Sequence, residues 1–174
     1  MYIKVLIFIF SFFVYFNTAS SDDLKIAYVD MNIIINQSNA GINVTKQLKV
    51  LNDNNIKKFK QKESQIAKEE KDLLKKKNIL PKEEFQKKVK ILQKNVVNFK
   101  KNINISRKEL SSKKLTATTK ILNVLNPILS EYSSKNSISL IIQKKNIVIG
   151  KSELDITNKI LVLLNSKVKS VKIN

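Results

Sequence analysis

The chain contains no cysteine, no histidine and no tryptophan, and only two glycines and two prolines among its 174 residues. Without cysteine the fold cannot depend on disulfides, even in an oxidising compartment. Without cysteine and histidine together there is no thiolate nucleophile, no imidazole base and no Cys/His zinc site. Gly41 and Gly150 lie far apart, so no glycine-rich phosphate loop can form. No nucleotide, metal or other cofactor is expected, and no enzyme. Acidic residues are also scarce, 14 against 33 Lys and Arg, for a formal charge of +19.

Long apolar runs are equally rare, with one exception at the start. Lys4 precedes a twelve-residue apolar stretch, Val5 to Phe16, broken only by Ser11 and Tyr15, and Asn17-Thr18-Ala19-Ser20-Ser21 follows with small residues. That layout reads as a secretory signal peptide, residues 1–21, cleaved after one of positions 19–21. As a membrane-spanning helix the run would rise only ~18 Å, short of a ~30 Å hydrocarbon core. Most of the aromatic residues leave with this segment. The remaining chain keeps Tyr28, Phe59, Phe85, Phe99 and Tyr132.

Lys25 to Asp30 reads as a short strand, with Asp30 capping a brief helix from Met31 to Asn36. Ser38 to Gly41 is expected to be a connector. From Ile42 to Ile79 there is neither Pro nor Gly, and Phe59, Ile66, Leu73 and Leu80 recur every seven residues. A second apolar line is missing, because Glu63, Glu70 and Lys77 occupy the places it would take. Pro81 interrupts, and Lys82-Glu83-Glu84 restarts a helix with acids in its first turn, where the dipole favours them. The second arm has the fuller seam: Phe85, Val89, Leu92, Val96, Phe99 and Ile103 alternate steps of four and three. Leu110, Ala117, Ile121, Val124 and Ile128 continue it, with polar gaps at Ser106 and near Lys114. Two such arms around Pro81 form an antiparallel hairpin with its turn near residues 79–82, each arm roughly 60 Å long at ~1.5 Å per residue.

Beyond the hairpin, Ile138 to Gln143 and Asn146 to Ile149 read as strands, and Asp155 or Thr157 caps a last helix bearing Ile160, Leu161, Leu163 and Leu164. The expected fold class is mainly α with a small β-rich body. In it a long antiparallel coiled-coil hairpin, residues 42–129, is inserted in a small three-stranded α/β association domain made of residues 22–41 and 130–174. Three short strands make a poor independent sheet, which points to self-association.

The order Lys25-Ile-Ala-Tyr-Val-Asp30, Ser38-Asn-Ala-Gly41, charged hairpin, Ile138–Gln143 and Asp155-Ile156-Thr157 resembles the OmpH family of periplasmic chaperones, the Skp-like proteins. The likeness runs over the whole chain after the signal segment. It implies a periplasmic homotrimer, its β-rich bodies associated and three hairpins projecting as tentacles. It also implies that unfolded outer-membrane proteins are held between the tentacles without ATP. The family brings no catalytic residues.

Charge is the remaining lead. Between Lys46 and Lys120 there are 23 basic and 8 acidic residues, so nearly all the excess lies on the hairpin. A basic tip of Lys75, Lys76, Lys77, Lys82, Lys87 and Lys88 is the candidate site for clients or anions, and the seam residues above are the structural counterpart. A positive cage attracts acidic partners over a range set by salt. Anionic lipid or lipopolysaccharide headgroups are further expected partners, and an envelope tethering protein is the alternative function. Nucleic acid is not expected, because an exported chain rarely meets it and the three remaining Phe belong to the seam rather than to stacking platforms. Glu69-Glu70 and Glu83-Glu84 are not paired catalytic carboxylates, since neighbours on a helix point ~100° apart.

Overall fold

The computed structural model describes residues 24–173; the expected signal segment lies outside them. Strand β1 (Ile26–Val29) leads into helix α1 (Met31–Gln37), whose first turn is capped by the Asp30 carboxylate accepting from the Asn32 and Ile33 amides at 3.0 and 3.1 Å. Helix α2 (Asn39–Lys75) follows at once. The expected connector at Ser38–Gly41 is a sharp corner rather than a loop. Ser38 is fully buried, and its hydroxyl caps α2 by accepting from the Gly41 amide at 3.1 Å. Gly41 lies inside the first turn of α2, pressed against the last turn of α1, where an added Cβ would overlap the Ile35 carbonyl oxygen.

Residues 76–81 reverse the chain, and helix α3 (Lys82–Lys135) returns alongside α2 and runs on into the body. Pro127 sits inside α3, on its exposed side, and the helix continues through it. The α3 C-terminus closes with two hydrogen bonds, Ile138 amide to Ser133 carbonyl and Ser137 amide to Ser134 carbonyl. Ser137 takes φ 52°, the left-handed conformation that this ending normally reserves for glycine.

Strand β2 (Leu140–Gln143) then pairs in parallel with β1, Ile26 opposite Leu140 and Val29 opposite Gln143. The sheet has these two strands. The third expected strand, Asn146–Ile149, is absent: Lys144–Asn146 form a 3₁₀ turn, and Val148 and Ile149 stand 97% and 91% exposed. Among the described residues their apolar run pairs with no strand. Its place on the far side of β1 is taken by a single bridge between Tyr28 and Asp155.

Helix α4 (Thr157–Lys167) packs back onto α1 and α3. Asp155 accepts from the Thr157 amide at 2.9 Å, while the Thr157 hydroxyl accepts from the Asp30 amide at 2.8 Å, tying both ends of the chain together. Partial burial pushes the Asp155 pKa up, but the Thr157 hydrogen bonds and Lys144, 3.1 Å away, outweigh it and hold the carboxyl below its usual range. On the surface, Lys135 and Lys167 lower the pKa of Glu131, and the Lys167 pair clips α4 to α3.

The core is where these pieces meet. Ile34, Ala40, Val44, Ala117, Ile121, Leu125, Ile160 and Leu164 are all buried. The root of the hairpin is therefore part of the body. The segment after α4 belongs to the body, since Val168, Val171 and Ile173 pack against this same core.

Two backbone positions give opposite expectations. Gly41→Ala forces α1 and α2 apart and should lower unfolding stability by about 3 kcal/mol, the upper end of the usual cost of overpacking, read as a lower urea midpoint at unchanged slope. Ser137→Gly relieves a left-handed residue and should raise stability by about 1 kcal/mol in the same titration.

Candidate functional site

The inner face of α2 is continuous from root to tip. Val44, Leu48, Leu51, Asn55, Phe59, Lys62, Ile66, Glu69 and Leu73 are its buried or half-buried residues. Its second line is polar, as expected, but consists of Asn55, Lys62 and Glu69. Glu63 and Glu70 are exposed, because the partners of Phe59 and Ile66 lie four residues before them, not after. On α3 the seam residues Phe85, Val89, Leu92, Val96, Phe99 and Ile103 are all half-buried.

Two contacts set the register of the arms. Phe59 and Phe99 meet edge to face with ring centroids 6.1 Å apart. Nearer the root, Asn55 donates to Ser106 at 2.7 Å across the hairpin. The polar gap at Ser106 is thus a matched polar layer, which holds one alignment of the helices better than an apolar pair would. The gap near Lys114 is filled by Lys113, half-buried, with its ammonium 3.7 Å from Glu109.

Towards the tip the seam no longer closes. Two grooves flank it. One, of about 720 Å³, is mainly apolar and includes Leu74, Phe85, Val89 and Val97; the other, of about 370 Å³, includes Asp72, Lys76, Lys88 and Ile91. Leu74, Ile91 and Val97 are exposed, and Ile79 in the turn is 78% exposed. These off-seam residues escape a heptad search, yet each of the first three belongs to an apolar doublet: Leu73-Leu74, Ile91-Leu92, Val96-Val97. One member points inwards and the other lies about 100° round the helix.

The predicted tip lysines are all exposed, and not all are free of acids. Lys75 ends α2 beside Asp72 at 3.9 Å, Lys76 caps it, Lys77 lies in the turn, and Lys82 opens α3. Lys88 pairs with Glu84 at 3.4 Å, and Lys87 precedes it on the same turn. From Glu69 to Lys88 there are seven basic and five acidic residues; from Lys90 to Lys120 there are nine basic residues and one acid. The excess charge lies along the α3 shaft, below an amphipathic tip.

The body carries exposed apolar residues of its own: Leu140 on β2, Val148 and Ile149 shortly after it, and Val162 on α4. Among the described residues no helix is long and apolar enough to cross a membrane.

Comparison with functionally curated proteins gives no match. Among solved structures the fold is similar to a crystal structure from Caulobacter crescentus CB15 of a candidate outer membrane chaperone, OmpH-like. The TM-score is 0.78 and the identity 16%, over 91% of this chain and 94% of that one. A family model for outer membrane protein (OmpH-like) matches residues 25–164, which takes in both strands, the whole hairpin and most of α4. With that match spanning the body and the hairpin alike, the chain belongs to the OmpH-like family.

Proposed function

We propose that this protein is a periplasmic chaperone that holds unfolded outer-membrane proteins, without ATP, in the space between several hairpins. The observation that carries this reading is the hairpin tip. Its seam opens into apolar grooves with exposed Leu74, Ile79, Ile91 and Val97, on arms whose shafts are strongly basic. Apolar groups left in water on a monomer mark a surface meant to be covered. Shallow open grooves favour many weak contacts with varied chain segments over one tight fit. The basic shaft draws in acidic clients by long-range attraction that salt weakens. The lysines from Lys75 to Lys88 add local contacts for acidic side chains or anionic headgroups at the tip.

A cavity requires more than one hairpin. The outer edge of β2 and the neighbouring Leu140, Val148 and Ile149 support association through the body, residues 22–41 and 130–174, into a homotrimer with the hairpins on one side. An open edge beside exposed apolar residues is a template for pairing with another copy.

Diluting a urea-unfolded outer-membrane protein into the purified chain should suppress its light scattering and give a stable complex. Unchanged scattering at several-fold excess rejects the reading. Replacing Leu74, Ile91 and Val97 with Ser should weaken suppression at least fivefold. Replacing Lys100, Lys101, Arg107 and Lys108 with Gln should slow capture at low salt more than the same change at Lys75, Lys76, Lys77 and Lys82. Light scattering after size exclusion should give three chains per particle, and Val148→Asp with Ile149→Asp should yield monomers that retain helix.

A further inference from the structure

The segment after α4 is held on its own hairpin by hydrogen bonds to its main chain as well as by its apolar side chains. Residues 171–173 run along the groove between α2 and α3 at the root. The Gln47 carboxamide donates to the Val171 carbonyl at 2.8 Å and accepts from the Ile173 amide at 3.4 Å. A carbonyl and an amide two residues apart, met by one partner, is the bonding pattern of a neighbouring parallel strand. Gln47 is itself fixed, since its amide also donates to the Asn43 side chain at 2.6 Å. From the α3 side, Lys120 donates to the Lys172 carbonyl at 3.2 Å and Lys113 to the Ile173 carbonyl at 3.4 Å. Val171 and Ile173 turn towards the core and Lys172 is exposed, the alternation of a strand.

Two features of the groove bear on whether the tail is its best occupant. The groove continues beyond Ile173 as a space of about 640 Å³ between the arms, reaching Val50, Leu51 and Glu109. The charges also match poorly, because the tail carries Lys172 where Lys113 and Lys120 of the groove reach its backbone. An uncharged or acidic segment would avoid that repulsion.

We propose that this groove is a binding site for extended peptide segments with apolar residues at alternate positions and neutral or acidic residues between them. In the free protein, residues 171–173 occupy it and must be displaced. Recognition is through main-chain hydrogen bonds, which confer affinity without sequence, with alternate side chains seated against the core. The proposal rests on the chaperone reading only for the source of such segments, since strands of an unfolded barrel protein alternate in this way.

The probe is a fluorescein-labelled six-residue peptide with valine at alternate positions and threonine or aspartate between. In the full-length chain, V171D with I173D removes the two tail side chains that pack on the core and leaves Gln47, Lys113 and Lys120 of the groove unchanged. Anisotropy should show the probe binding this variant at least tenfold more tightly than the unaltered chain, and adding Q47A should remove that gain. Equal binding, or a gain indifferent to Q47A, overturns the proposal. A second measurement covers loss of fold in the variant: saturating probe added to the unaltered chain should speed hydrogen exchange at the Ile173 amide at least fivefold, and no change overturns the proposal. Aggregation suppression on the same samples separates the two readings. Suppression without probe binding rejects the groove alone, and probe binding without suppression rejects the chaperone reading alone.

Discussion

Ala117, Ile121 and Leu125 of α3 pack against Ile34, Val44 and Ile160 with almost no water contact, and the rest of the hairpin is held from this one end. Burying an Ile or Leu side chain contributes ~1.5–3 kcal/mol, so this cluster supplies far more than the seam above it. Between Val44 and the tip, Ile66 is the one apolar residue of α2 that is buried rather than half-buried or exposed. Free energy against local opening therefore falls from root to tip. The part of the molecule with the most exposed apolar surface is also the part least tightly held, which suits arms that adapt to differently shaped partners.

Along that gradient the contacts change in kind. The root is dry and apolar, the Asn55–Ser106 layer sets alignment, and the Phe59–Phe99 pair is a last aromatic clasp. Beyond it the grooves begin. Charge runs the other way, with Glu69, Glu70, Asp72, Glu83 and Glu84 diluting the lysines of the tip while the shaft of α3 stays basic. Attraction over distance and contact at close range are thereby assigned to different stretches of one helix.

Much of this was legible in the residues. The four-three steps from Phe85 to Ile103 specify a seam, Pro81 marks the reversal, and Asp30 announces a helix start. What stayed hidden depends on contacts distant in sequence. Asn146–Ile149 has strand composition, but a strand needs a partner and β1 offers that edge to Asp155 instead. Ser38–Gly41 looks like a loop because Gly usually marks one. Here the missing Cβ admits the Ile35 carbonyl. Residues 167–173 are basic with no pattern that fixes them, and only the position of Gln47, 124 residues from Val171 in sequence, gives them a place. The tip grooves were half visible in the apolar doublets, which a heptad search absorbs into the seam.

The parallel pairing of β1 with β2 bears on the order in which the chain folds. The two strands are separated by all of residues 30–139, and closing so long a loop without intermediate structure is entropically costly and slow. The helices between them bring the strands together once formed, because α3 returns beside α2 and delivers β2 to β1. Local helix and hairpin formation must therefore precede the sheet, and the body is the last part to assemble. During synthesis β1 emerges first and waits for its partner until the hairpin is complete. A chain stalled within α3 would display arms but no base on which to combine.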